Sequence, residues 1–391
     1  MTRLSGAGRI GWLCGLALLC WQTPGAAESC RIAFDVGSSG IRVGPTPQAE
    51  PAKVAIDYLG DVWPDHEIDR TVDATIQALL SLPRAAGIPP GCRGVAGGYS
   101  AWRLALQQGD PTRLIATLRT IHAQTQVPLF VIPQAVEGTH GHLAAEKSLG
   151  DRLKTPWILD LGGGSVQIAG KSSGWGTDLG QKAWRKLYCE QVKKNPDPTC
   201  SPNPVGPTAL DETARILAPR FAEATKQLGT GVKITAVSAP VVKAIHPVLR
   251  FLAEERHAIP TGGVDADGFN RATLDAAIAL LSPLDNAAIA HLLELEDPAG
   301  LSATKPVCDA RFLPTLVTDM LLVHSLMSEL KVERLEVAFA SITNVPGLLA
   351  DPNAAAWADH YPCYLQKLET MGIDAFLADP SSCAPEPPRR D

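Results

Sequence analysis

The strongest constraint on this chain is a pattern that occurs twice. Residues 157–168 read Trp-Ile-Leu-Asp-Leu-Gly-Gly-Gly-Ser-Val-Gln-Ile: an apolar strand interrupted only by Asp160, then three glycines and Ser165. Residues 32–43 read Ile-Ala-Phe-Asp-Val-Gly-Ser-Ser-Gly-Ile-Arg-Val, with Asp35, Gly37, Ser38 and Ser39 in the same order. Read alone, either segment is a tight hairpin with an aspartate capping its turn, and a single glycine-rich loop is a weak signal. Two such segments, one early and one mid-chain, predict two similar half-domains whose loops face each other across a cleft. Glycine lets backbone N–H groups come close to an anion. The expected phosphate donors are therefore Gly37, Ser38, Ser39, Gly162, Gly163, Gly164 and Ser165. Asp35 and Asp160 sit where a carboxylate can hold a hydrated Mg2+ beside phosphates.

Strand and helix patterns alternate along the chain. A strand over 31–43 is followed by an extended stretch from Val54 to Leu59. Val72, Ile76, Leu79 and Leu80 then fall at helical spacing. Arg93 to Gly97 reads as a strand, Leu114, Leu118 and Ile121 as a helix, and Val127 to Ile132 as a strand. This order predicts an α/β fold with mostly parallel sheets and helices on both faces. A helix over 135–149 leads from the first half to the second. Residues 171–210, rich in Gly, Pro and polar groups, are expected to form a long surface excursion. The second half continues with a strand at 233–237, helices over 241–252 and 272–295 (broken at Pro283), a long apolar stripe from Leu313 to Met327, and a last strand at 334–340. From Asp351 onward the prolines predict a partly loose tail.

In this order the segments resemble the exopolyphosphatase / guanosine pentaphosphate phosphatase family, relatives of the ecto-apyrases within the actin-like and sugar-kinase-like phosphotransferases. The resemblance runs over roughly residues 31–350. It implies two actin-like (ribonuclease H-like) lobes, over 28–140 and 141–350, with a Pro-rich tail over 351–391. It also implies a catalytic glutamate at Glu137, in the segment Val136-Glu-Gly-Thr-His-Gly-His-Leu143. As general base this carboxylate would orient water in line with a terminal phosphorus; by position alone it is equally a first-turn glutamate at a helix N-terminus. Arg103, in Ser100-Ala-Trp-Arg-Leu-Ala105, matches a family arginine that pairs with phosphate; otherwise it is a solvated surface residue. Arg42 is a weaker candidate of the same kind. His140 and His142, two apart, do not share a helix face and are not a zinc pair.

Three positions depart from the family pattern. Ser238-Ala-Pro240 replaces a Gly-Gly-Thr loop, Val345-Pro-Gly347 replaces Arg-Glu-Gly, and Ala135-Val136 precede the glutamate where the family has acids. The expected reaction is Mg2+-dependent release of terminal phosphate from inorganic polyphosphate. The alternatives are hydrolysis of a nucleoside tri- or diphosphate, and a non-catalytic polyphosphate binder. A second copy of the chain is the one further expected partner.

The N-terminus sets the address. Arg3 and Arg9, an apolar run from Ile10 to Trp21 too short to span a bilayer, and Pro24-Gly-Ala-Ala27 read as a signal peptide over 1–27. Removing it leaves 33 basic against 41 acidic residues, a net charge of −8, which argues against nucleic acid. No membrane insertion is expected afterwards, and the destination is periplasmic or secreted. Seven cysteines remain, and in an exported protein these predict disulfides. Cys30 and Cys92 each precede an arginine and an apolar strand, so parallel neighbouring strands would set them side by side. Cys189–Cys200 would close a Pro-rich loop and Cys363–Cys383 would staple the tail, leaving Cys308 over.

Overall fold

The computed structural model describes residues 30–44, 52–295, 307–339 and 342–383. The expected leader lies outside them. The chain forms two mixed sheets. The first is built from β1 (Arg31–Gly37), β2 (Gly40–Gly44), β3 (Ala52–Val54), β4 (Arg93–Gly98) and β5 (Leu129–Val131), in the order β3-β2-β1-β4-β5. The second contains β6 (Trp157–Leu161), β7 (Val166–Ala169), β8 (Gly174–Thr177), β9 (Ile234–Ala236), β10 (Val264–Asp265), β11 (Gly268–Asn270) and β12 (Arg334–Val337), in the order β10-β11-β12-β9-β6-β7-β8. The run β8-β7-β6-β9-β12 repeats the first sheet. In each sheet two antiparallel pairings are followed by two parallel ones. The duplicated hairpins are β1–β2 and β6–β7, the equivalent central pairs of the two lobes.

Each sheet has its own core. Phe34, Val36, Trp102, Leu118 and Phe130 fill the first; Leu159, Ile168, Phe221, Leu274 and Met320 fill the second. The largely apolar helix Leu316–Glu329 is buried along most of its length. Register explains the first cysteine pair: Arg31 lies opposite Arg93 on parallel strands, so Cys30 and Cys92 are neighbours and are bonded. Cys189–Cys200 and Cys363–Cys383 are bonded as well, and Cys308 is free and buried.

Three expectations are corrected. The stretch from Val54 to Leu59 is not one strand, because β3 ends at Val54 and a helix starts at Tyr58. Residues 171–210 are not a surface excursion. They supply the edge strand β8 and the helix Gln181–Gln191, whose Trp184 and Tyr188 are buried; only the disulfide-closed loop that follows is irregular. Nor are residues 352–383 a loose tail; the expectation for 384–391, with Pro385, Pro387 and Pro388, lies outside the described residues. Residues 352–371 form the helices Pro352–Asp359 and Tyr361–Met371, which pack Trp357, Tyr361 and Tyr364 into the first core. Pro352 and Pro362 stand in the first turns of these helices, where the missing N–H costs nothing. The two tyrosine hydroxyls also pair the edge strand β5. Tyr361 donates to the Leu129 carbonyl at 2.9 Å, and the Val131 amide donates to Tyr364 at 2.9 Å. An otherwise open sheet edge is thereby closed.

The lobes are joined by the helix Gln134–Leu149, which leaves β5 and lies on β7 and β8. It crosses the short helix Val345–Ala350 closely: a Cβ at Gly347 would overlap the His140 backbone. His140 then reaches Asp351, Nε2 to Oδ2 at 2.8 Å, while the buried His142 lies elsewhere on the helix.

Candidate functional site

The two hairpins meet as their duplication predicts. Both turns lie where the cores face one another, and loop two rests on lobe one. A Cβ at Gly163 would stand 2.8 Å from Ser38 Oγ, and one at Gly164 would overlap Ser100 Oγ. Only glycine allows this approach. Ser100 itself has a φ of 46°, a left-handed conformation that a serine holds at a cost of about 1–3 kcal/mol.

The expected phosphate donors divide into two groups. Among the described residues the amides of Ser38, Ser39, Gly163 and Gly164 have no backbone acceptor. Gly162 N–H closes its own loop on the Ser165 carbonyl at 2.9 Å, and Gly37 pairs with Gly40 in the hairpin ladder. Ser165 is buried, and its hydroxyl accepts from Gln167 Nε2 at 2.9 Å. Gly37 and Gly162 N–H are thus spent on loop shape, while the Ser165 hydroxyl, as acceptor from Gln167, keeps its own hydrogen to donate. The carbonyls of Gly162 and Gly163 take the first amides of the helix Gln181–Gln191, which anchors the loop from behind.

Asp35 and Asp160 are close enough to interact. Burial, with Asp35 adding to it, raises the Asp160 carboxyl from 3.8 to about 6. Asp35 is buried, accepts the Asn344 amide at 3.0 Å and lies 3.6 Å from Arg42 Nη1. Asp160 is only partly buried and has no hydrogen-bond donor among the described residues. Among those residues no group of three or more His, Cys, Asp or Glu is placed to hold a metal.

Glu137 lies in the first turn of the helix joining the lobes, 8% exposed. Arg103 Nη1 donates to its Oε2 at 2.6 Å and Gln167 Nε2 donates to the same oxygen at 2.9 Å. Oε1 takes no donor among the described residues. Burial raises the Glu137 carboxyl to about 7; Arg103 opposes that rise, and Asp160 and Asp35 add to it. A carboxylate held near neutrality with one free oxygen can accept a proton.

Arg103 is not the solvated surface residue that sequence alone allows. It is 1% exposed, with Nη1 on Glu137 and on the Ile132 carbonyl at 3.0 Å and Nε on Asp178 at 3.3 Å. Its one unpartnered nitrogen, Nη2, is itself enclosed. Tyr99 stands behind this group; burial first, then Asp35 and Glu137, hold its hydroxyl well above the usual range. Sequence reasoning missed Gln167, Tyr99, Ser100 and Asn344. Gln167 carried a usable signal, since it lies opposite Asp160 as Arg42 lies opposite Asp35, seven residues on in both hairpins. The variant third loop, Ser238-Ala-Pro240, follows β9 beside β6, with Val237 N–H on the Leu159 carbonyl.

This architecture has solved counterparts. No family model matches the chain. An uncharacterized protein of Streptomyces coelicolor is 34% identical over 110 residues, a match that spans 28% of this chain and 30% of that protein. A Ppx/GppA family member of Aquifex aeolicus aligns over 81% of this chain and 95% of its own, with a TM-score of 0.54 and 13% identity. An exopolyphosphatase-like protein aligns over 82% and 97%, with a TM-score of 0.53 and 16% identity. The chain therefore has the two-lobed, actin-like fold of the Ppx/GppA proteins. At these identities the likeness is one of fold, and chemistry has to be argued from the residues.

Proposed function

We propose that this protein is an exported phosphoanhydride hydrolase that releases terminal phosphate from inorganic polyphosphate. One observation carries the reading: a buried glutamate, raised to about 7 and with one oxygen free, stands beside two hairpins whose turn amides have no backbone acceptor. The terminal phosphate is held by the free amides of Ser38, Ser39, Gly163 and Gly164 once the two turns, which touch at Gly163 and Ser38, part to admit it. Glu137 Oε1 takes the proton of a water aligned with the phosphorus. Arg103 and Gln167 fix Oε2, so the free oxygen has one direction. Arg103 is a positioning residue here rather than a phosphate ligand.

The residues also suit a divalent ion. Two facing carboxylates, one without a donor and repelled by the other, would gain from a cation between them. Mg2+ binds through one or two carboxylates and completes its shell with water and phosphate oxygens. Bound by Asp35 and Asp160, it would supply charge neutralisation on the phosphates. Three disulfides support export, as does the leader-like N-terminus. No helix of the described residues is long and apolar enough to cross a membrane.

The test is phosphate release by the oxidised chain from long-chain polyphosphate, ATP and guanosine pentaphosphate, with Mg2+ and with chelator. Chelator-sensitive release from polyphosphate, lowered about 10²–10⁴-fold in Glu137→Gln, is expected. Release from nucleotides alone would replace the substrate. A folded protein with no turnover on any of these would replace the enzyme with a binder.

A further inference from the structure

Two of the four free turn amides are aimed by groups that the chemistry above does not use. A trans peptide is planar, so its C=O and its N–H point in opposite directions. The Gly162 carbonyl accepts the Gln181 amide at 2.9 Å, and the Gly163 carbonyl accepts the Lys182 amide at 2.7 Å. Each of these carbonyls shares its peptide with the N–H of the next residue. By drawing both carbonyls back, the helix Gln181–Gln191 turns the amides of Gly163 and Gly164 away from itself. Its own first amides are spent on the loop. The approach is close, since a Cβ at Gly180 would overlap the Gly162 carbonyl.

A buried acid fixes this helix end. Asp319, in the helix Leu316–Glu329, is 1% exposed. Its Oδ2 accepts Gln181 Nε2 at 2.5 Å and Thr315 Oγ1 at 2.9 Å, and the same Nε2 donates to Thr315 Oγ1 at 2.8 Å. One turn further along, Trp184 Nε1 donates to the Thr318 carbonyl at 3.0 Å. Gln181 therefore makes both contacts: its backbone N–H holds loop two, and its side chain holds Asp319. Asp319 Oδ1 is enclosed without a partner among the described residues.

A core position that needed only volume would take an apolar side chain, as Leu316, Met320 and Val323 do around it. An orphaned buried oxygen is costly, so the acid is there for the bonds that its other oxygen makes. Burial pushes the carboxyl up to about 8, against the opposing pull of Gln181 and Thr315. Near neutral pH it thus holds Gln181 without setting a full negative charge behind a loop that takes an anion. Resting on the reading that these amides hold the terminal phosphate, we propose that Asp319 is a positioning residue of the phosphate site, fixing through Gln181 the helix end that aims the Gly163 and Gly164 amides. It touches no ligand. Without it the backbone bonds to loop two remain, but their donor helix end is no longer tied to the core.

The experiment measures tripolyphosphate binding and denaturant unfolding of the oxidised chain in a Glu137→Gln background, where the ligand is not consumed, and phosphate release in the wild-type background. The variants are Asp319→Leu, Asp319→Asn, Gln181→Leu and the double Gln181→Leu/Asp319→Leu. Losing this buried hydrogen bond predicts an affinity about tenfold lower in each single leucine variant. Asp319→Asn keeps an acceptor and should stay within about twofold. The double variant leaves no orphaned partner, so it should regain most of the stability lost in Asp319→Leu but none of the affinity. Unchanged affinity in the leucine variants overturns the proposal and makes Asp319 a structural acid. So does affinity that returns together with stability in the double variant, or an equal loss in Asp319→Asn and Asp319→Leu. If affinity falls as stated but no protein releases phosphate, the hydrolytic reading fails and the positioning role stands. If phosphate is released and affinity is unmoved, the positioning role fails and the enzyme stands. A Glu137→Gln chain that binds no tripolyphosphate overturns both.

Discussion

Arg103 is the residue on which sequence resemblance and structure disagree most usefully. If it serves Glu137, replacing it with methionine removes a counter-charge 2.6 Å from the carboxylate and leaves the base in place. An opposite charge at this range lowers a carboxyl by about one to three pH units. Without it, the Glu137 carboxyl should rise from about 7 to about 8–10. Since the ionised form is the base, activity in the wild type should climb as pH passes about 7. In the variant that limb moves upward, activity at pH 7 falls about five- to five-hundredfold, and most of it returns at high pH. Stability follows with a definite sign. A carboxyl raised in the folded state destabilises the fold as pH climbs past its unfolded value. The extra penalty of the variant, about 1.4–4 kcal/mol, therefore develops only above about pH 7. The bonds to Ile132 and Asp178 are lost at every pH, and Arg103→Lys serves as a charge-retaining control should the methionine variant fold poorly. The assay is a pH–rate profile of phosphate release with denaturant unfolding at pH 5.5 and pH 8.5. A uniform loss with an unmoved limb would refute the reasoning and return Arg103 to the phosphate.

Two further predictions concern the C-terminal segment. Tyr364→Phe leaves the buried Val131 amide on edge strand β5 without its acceptor, and should cost about 1–3 kcal/mol in denaturant unfolding with little change in activity. Removing the Cys363–Cys383 bond, which closes a loop of 20 residues, should cost about 3 kcal/mol and loosen these helices to protease before the rest of the chain.

How much of this was legible depended on whether a signal was local. The paired Asp-Gly hairpins and the Cys189–Cys200 and Cys363–Cys383 pairs are local patterns that stand in the structure where the sequence put them, and Cys30–Cys92 followed from matching strand starts. The segment after Asp351 was misread because proline marks both a helix start and a loop. What decides between them is a tertiary fact: the open edge of β5 accepts Tyr361 and Tyr364. The same limit hid the destination of Arg103. A sequence shows a guanidinium near a phosphate-type pattern. It does not show that Glu137, Ile132 and Asp178, from three other places in the chain, converge on it.

The duplication also shows how a symmetric pair of hairpins can serve an asymmetric reaction. Both place an aspartate at the cleft and a polar residue opposite it, Arg42 in one lobe and Gln167 in the other. The helix that carries Glu137 breaks the equivalence, because it packs on one hairpin only. Gly138 lies against Ala169, where an added Cβ would stand 2.7 Å from the alanine side chain, and this holds Glu137 over Gln167. On that side the opposed position has to orient a carboxylate, which a neutral amide does by donating one hydrogen bond to Glu137 and one to Ser165. On the other side the same position carries Arg42, whose Nη1 lies 3.6 Å from Asp35 and so meets the aspartate itself rather than a glutamate.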